Sequence, residues 1–191
     1  MLASLIDPSD RPSAVLRARE RIAGRPLYLD TETTGLDEAS EIVEVCIIDA
    51  DGASLVDTLV RPSGRIPPGA TKIHGITDEM VADAPSWPEV WPAVESVIAG
   101  REVGIYNADY DLAMIRRCNA RHQLQRREKN ARGFCIMKLY ARFAGDRKPN
   151  GEFRWHRLEA AGEQCGIDLL NAHRARADTL LARALLHHMA R

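Results

Sequence analysis

Apolar residues recur along this chain in two rhythms, and the change from one to the other outlines its elements. Residues 26–31 (PLYLDT), 41–49 (EIVEVCIID) and 53–60 (ASLVDTLV) are short apolar runs of strand length. The second is apolar almost throughout, which places it centrally in a sheet with both faces covered. Asp51-Gly52 between the second and third runs is a turn signal, so those two strands should form a hairpin. A fourth short strand is predicted over 102–106 (EVGIY).

Elsewhere the period is helical. An Arg-rich leading helix is predicted over 13–23, closed by Gly24. Ser86 with Glu89 reads as a capping box, behind which Trp87, Val90, Trp91, Val94, Val97 and Ile98 share one face. Both tryptophans keep the spacing of the aliphatics and are therefore assigned to the core. Pro92 should kink that helix or delay its start. Further helices are predicted over 108–124, 135–143, 158–165 (ended by Gly166) and 176–189. In the last, Leu180, Leu181, Ala184, Leu185 and His188 should face inward. Residues 61–85, punctuated by Pro62, Gly64, Pro67, Pro68 and Gly69, read as loop, and the polar stretch 145–154 as a mobile loop. Strands first and helices later predict an α/β protein with a mixed sheet, its first three strands hairpin-connected, flanked by helices. The expected organisation is an N-terminal helical extension, 1–24, and a single domain, 25–191.

Composition narrows the class. An apolar fraction of 45% and a charged fraction of 28% over 191 residues are those of an ordinary globular protein. The apolar start is cut short by Asp7 and Pro8, and no stretch approaches the roughly 18 apolar residues that span a bilayer. No membrane association and a cytoplasmic location are expected. Four cysteines without a C-x-x-C pair suit buried reduced thiols better than a zinc site. The net charge of −1 conceals an asymmetry: residues 116–157 hold 13 Lys/Arg against 3 Asp/Glu, a net of +10. A solvated helix and loop, or a surface for phosphates, would each account for it.

Candidate chemistry lies in three places. Asp30 and Glu32 stand two apart at the end of an apolar strand, so both carboxylates point to one side. A cation between them would relieve their repulsion. In 106–111 (YNADYD), Asp109 and Asp111 fall where a strand gives way to a helix. Either is a metal ligand or a complement to the helix dipole. His173 and Asp178 are five residues apart, about 140° around a regular helix. They converge only if His173 lies on the loop before the helix that carries Asp178.

Taken in order, D-x-E, N-x-x-Y-D and H-x-A-x-x-D resemble the three exonuclease motifs of the DEDDh family, which includes proofreading subunits of bacterial replicative polymerases. The resemblance runs from Leu27 to Leu186 and takes in TGL after the acidic pair, EIVEV, LVRP and the loop Ile73-His74-Gly75-Ile76-Thr77. It implies a ribonuclease H-like fold and a 3′→5′ exonuclease releasing nucleoside 5′-monophosphates. Asp30, Glu32, Asp111 and Asp178 would be ligands of two magnesium ions, manganese substituting, and His173 the base that activates water. Asp109 is then excluded, since the motif places the acid directly after Tyr110. Thr33, Leu36 and His74, with Asp30, Glu32 and Asp178, would contact substrate. Histidine five residues before the last Asp selects the histidine subtype; the sister group has tyrosine where this chain has Arg174. The chain departs from the usual pattern at Cys46-Ile47, Arg174, Arg176 and Thr179.

The implied substrate is a single-stranded or frayed 3′ end, DNA in proofreading or repair being favoured over RNA trimming. Arg116, Arg117, Arg121, Arg126, Arg127 and Lys129 become candidates for the strand's phosphates. A polymerase partner or a homodimer is compatible with the resemblance. A catalytically silent binding module would not need the complete set of four acids and a histidine.

Overall fold

The computed structural model describes residues 11–124, 131–167 and 173–191. Strands β1 (Leu27–Thr33), β2 (Ile42–Ile48) and β3 (Ser54–Leu59) form an antiparallel meander. The β2–β3 turn closes where Asp51-Gly52 predicted, with Gly52 at φ +95° donating to the Asp49 carbonyl. Strand β4 (Glu102–Ile105) then pairs with β1 in parallel, and β5 (Arg132–Cys135) pairs in parallel with β4. The order β3-β2-β1-β4-β5 makes this the expected mixed sheet. β2 is buried along its whole length and lies inside the sheet, although β1 takes the central place. β5 has no legible alternation in its four residues (RGFC), two of them exposed; its pairing with β4 creates it.

Helices cover both faces. On one side, α4 (Trp87–Ile98) and α5 (Ala108–Arg121) pack on Leu27, Leu29, Val45 and Ile47, the alternate positions of β1 and β2. On the other, α1 (Arg11–Ala23), α6 (Ile136–Ala144) and α8 (Ala175–Met189) pack on Tyr28, Cys46 and Ile48. Ala14 and Ala18, one turn apart in α1 and fully buried, let that helix lie close to α6 and α8. Trp87 and Trp91 are core residues, and Trp87 donates its indole N–H to Asn119. Pro92 sits inside α4 without delaying it, because the Ser86–Glu89 capping box fixes the start.

Several expectations are corrected. Residues 61–85 contain two short helices, α2 (Pro68–His74) and α3 (Asp78–Val81), the first opened by Pro68 and the second capped by Thr77. The stretch 145–154 has no helix or strand, as expected of a loop, but its backbone is paired into a ribbon: Arg147 bridges Phe153, Lys148 N–H donates to the Glu152 carbonyl, and Arg154 N–H to that of Asp146. The buried face of α8 is Ala175, Asp178, Thr179, Leu181, Ala182, Leu185, Leu186 and Met189. It is wider than expected and turned away from Leu180, Ala184 and His188, which are only half-buried, because α8 sits in a corner between the sheet and helices α1, α6 and α7 (Leu158–Gln164). All four cysteines are unpaired; Cys46 and Cys118 are buried, Cys135 and Cys165 half-buried. No helix among the described residues is long and apolar enough to cross a membrane.

Candidate active site

The site forms at the carboxyl end of the parallel pair β1 and β4, where α/β sheets commonly place ligands. β1 turns Asp30 and Glu32 to the face that α8 covers, as their i, i+2 spacing requires. On that face Glu32 lies opposite Glu44 of β2. Glu44 is buried and accepts from Arg174 Nη2 at 2.6 Å, from Arg174 Nε at 3.1 Å and from the Ala175 backbone N–H at 2.9 Å. A β2 carboxylate thus satisfies an orphan donor of α8's first turn and sets where that helix begins.

This anchoring resolves the five-residue spacing. His173 lies on the loop before α8 with a left-handed backbone, φ +65°, and its N–H donates to Asp178 Oδ1 at 3.3 Å. Asp178 is in the first turn, buried and pointing at the same place as the β1 acids. Carboxylate oxygens of Asp30, Glu32 and Asp178 lie within 4.8 Å of one another. Asp111 arrives from α5, on the other layer, and is held by Thr31, whose hydroxyl and backbone N–H both donate to Oδ1, at 2.8 and 3.2 Å. Asp109 turns outward to pair with Lys138, which removes it from the site.

The electrostatics are those of acids crowded without a counter-charge. Burial, and then the charges of Asp111, Glu32, Asp178 and Glu44, hold the Asp30 pKa well above the usual carboxylate range. Burial raises Glu32 to about 8, with Asp178 and Glu44 adding to it. Burial likewise raises Asp111 to about 7, against the Thr31 hydrogen bonds, and Asp178 to about 6, against the His173 N–H. An all-oxygen donor set with this unmet demand for positive charge fits a hard divalent cation such as magnesium.

A stability test follows. A carboxyl whose folded pKa lies above its unfolded one binds more protons when folded, so the fold loses stability as pH rises between them. For the metal-free protein that window runs from about 4, the ordinary carboxyl value, to about 8, the value for Glu32. A cation replaces those protons, so magnesium should raise the melting temperature more at pH 8 than at pH 6. Melting curves in magnesium and in EDTA at both pH values check this; an equal or larger shift at pH 6 would contradict it.

A cleft of about 990 Å³ opens beside the acids, lined among others by Asp30, Asp111, His173, Asp178, Leu36 and Glu159. Leu36 is 83% exposed at this cleft, on a turn fixed by Tyr110. The Tyr110 hydroxyl, the Thr33 hydroxyl and the Gly35 carbonyl lie 2.7–2.9 Å apart. Thr33 therefore shapes the loop, and neither it nor Glu32 lines the cleft wall. His74 does not line it either: it is buried, and its Nδ1 accepts the Ile76 N–H at 3.0 Å. Its Nε2 is buried with no hydrogen-bond partner among the described residues, and burial lowers its pKa. Its neighbours Lys72 and Ile73 reach the cleft instead.

Of the basic candidates, Arg117 and Arg121 donate to the Asp37 and Ala39 carbonyls, and Arg116 is exposed. Arg126, Arg127 and Lys129 lie outside the described residues. One residue with no motif to announce it joins the site: Glu159 of α7, whose Oε1 is 3.3 Å from His173 Nδ1. Only the packing of α7 against α8 reveals it.

A five-stranded mixed sheet with helices on both faces and acids gathered at the end of its central strand defines a ribonuclease H-like α/β protein. Residues 27–186 match the sequence model of the exonuclease family, and the chain belongs to that family. It is 38% identical over 180 residues to the uncharacterized exonuclease CP81 of Escherichia phage 186, covering 92% of this chain and 93% of that one. It is 35% identical over 101 residues to the DNA polymerase III epsilon subunit of Pasteurella multocida, covering 48% of this chain but only 40% of that subunit. Among solved structures, exonuclease X in complex with 5′ overhanging duplex DNA superposes with a TM-score of 0.59 at 29% identity, over 85% of this chain and 89% of that one. Exonuclease I of E. coli with a dA16 oligonucleotide gives 0.69 at 18% identity, over 83% of this chain and 39% of that one, and shows the shared fold.

Proposed function

We propose that this exonuclease removes nucleotides one at a time from DNA 3′ ends, with Asp30, Glu32, Asp111 and Asp178 holding two divalent cations and His173 serving as base. The observation that carries the reading is the meeting of β1 and α8 acids with a half-exposed histidine in one cleft. Bound there, two magnesium ions would make water nucleophilic at neutral pH and neutralise charge on the phosphate, a role manganese can share. The protein's own groups supply the rest. His173 reaches from a loop over the acids, and Glu159 faces its Nδ1, leaving Nε2 to take a proton from water. Exposed Leu36 and Ile73 at the cleft offer apolar contact to a terminal base. The cleft's volume is at the upper end of that of a small-molecule site, room for a terminal nucleotide and the phosphate to be cut.

The relatives named for polymerase III and the structure solved with overhanging DNA favour DNA over RNA. The chain matches 40% of the epsilon subunit's length, and a polymerase partner or a homodimer is compatible with this chemistry. Four unpaired cysteines favour a reducing cytoplasm as the place of action. The test is digestion of 5′-labelled single-stranded DNA, mismatched duplex and short RNA with magnesium and with EDTA. A ladder shortening from the 3′ end, only with magnesium and fastest on DNA, is expected. Internal cuts, or digestion that survives EDTA, would sink the reading.

A further inference from the structure

Beyond the cleft, the ribbon at 145–154 has no role in the chemistry above, yet the chain runs on from it into the cleft's lining at His156 and Arg157. Trp155 is 58% exposed, whereas Trp87 and Trp91 are 2% and 3% exposed. Lys148 Nζ stands 5.6 Å from its ring centroid. Arg154 precedes it and Arg157 follows two residues on, both exposed and without an ion pair among the described residues. The ribbon is firmly built, with Arg147 stacked 4.2 Å over Phe153 and with the backbone bonds already described. It is also tied to the cleft. His156, next to Trp155, is held edge-on against Tyr140, its carbonyl accepts the Tyr106 hydroxyl at 2.9 Å, and His156 and Arg157 both line the cleft.

An exposed indole between arginines, adjoining in sequence two residues that line the cleft, suits a strand of nucleotides: every base offers a π face, and each phosphate needs a cation. We propose that Trp155, with Arg154 and Arg157, binds the single strand behind its terminal nucleotide, the indole stacking on a base and the arginines meeting phosphates. This rests on the exonuclease reading for what lies in the cleft, but its first test is a binding measurement that needs no turnover, so the two can fail separately.

Because Trp87 and Trp91 are buried, the solvent-accessible part of the tryptophan emission belongs to Trp155. Adding (dT)12 closed by a 3′-terminal phosphorothioate linkage should quench that emission, and thymidine 5′-monophosphate should not. Trp155→Ala should abolish the quenching and raise KM for (dT)12 about tenfold with a much smaller change in kcat. Trp155→Phe, which keeps an aromatic face, should recover most of the loss. Neutralising Arg154 and Arg157 to glutamine should make the dependence of log KM on log salt shallower by about 1.4, as for two lost phosphate contacts on a single strand. Emission indifferent to (dT)12, or a KM unchanged in Trp155→Ala, would overturn the proposal. Wild-type protein that binds (dT)12 with quenching but never shortens an unmodified strand would instead sink the exonuclease reading and leave this surface standing.

Discussion

Replacing Asp30 by asparagine is expected to lower magnesium-dependent release of mononucleotides by at least about 10³-fold, the several kcal/mol of charge stabilisation that a cation site supplies. Asp30 is the acid that feels the most neighbours: Asp111, Glu32, Asp178 and Glu44 all raise its pKa, so it stands at the meeting point of both helical layers. An amide of the same shape removes the charge and leaves the packing intact. The same change should therefore stabilise the metal-free protein at pH 8, where the crowded carboxylates repel, and weaken the magnesium-induced rise in melting temperature. Lost activity with a raised metal-free melting temperature is the signature of a site built at the expense of stability. Wild-type rates in magnesium would remove Asp30 from the cation site, and a fall in both activity and metal-free stability would point to simple misfolding.

How much of this was legible follows from the range of each interaction. The pairing of Asp30 with Glu32 is local, since strand geometry alone puts i and i+2 on one side, and the structure places them so. The β2–β3 hairpin was legible for the same reason. His173 was legible only as a condition, that it lie outside the α8 helix, and its left-handed backbone meets that condition. What the sequence hid depends on tertiary packing. β5 exists because β4 offers an edge. Glu44 reads as an acid in a buried strand with no stated partner, until α8 brings Arg174 and the Ala175 N–H to it. Arg174 thus holds the helix that carries Asp178, although in sequence it is only a departure from a motif. Glu159 and the ribbon before Trp155 were hidden too, because polar composition says nothing about where a polar segment docks.

His173→Ala is expected to lower kcat by roughly 10²- to 10⁴-fold, the usual worth of a positioned general base, with KM changing far less. The backbone N–H that holds Asp178 Oδ1 survives the substitution, so the acidic cluster should keep its shape and its cation. The left-handed φ of +65° is uncommon for any residue with a side chain, and it persists here because Glu44 and Asp178 pin the chain on either side. His173→Gly would relax that backbone while also deleting the ring. If the ring does the chemistry, the glycine and alanine variants should lose kcat equally, with magnesium still raising the melting temperature of both. A glycine variant that keeps near-wild-type turnover would show the backbone, and not the imidazole, to be what the site requires. Glu159→Ala extends the test, since its carboxylate faces Nδ1 at 3.3 Å from a different helix. Losing it should cost turnover in the wild type but little more in His173→Ala, because a group that acts through the ring has nothing left to act on.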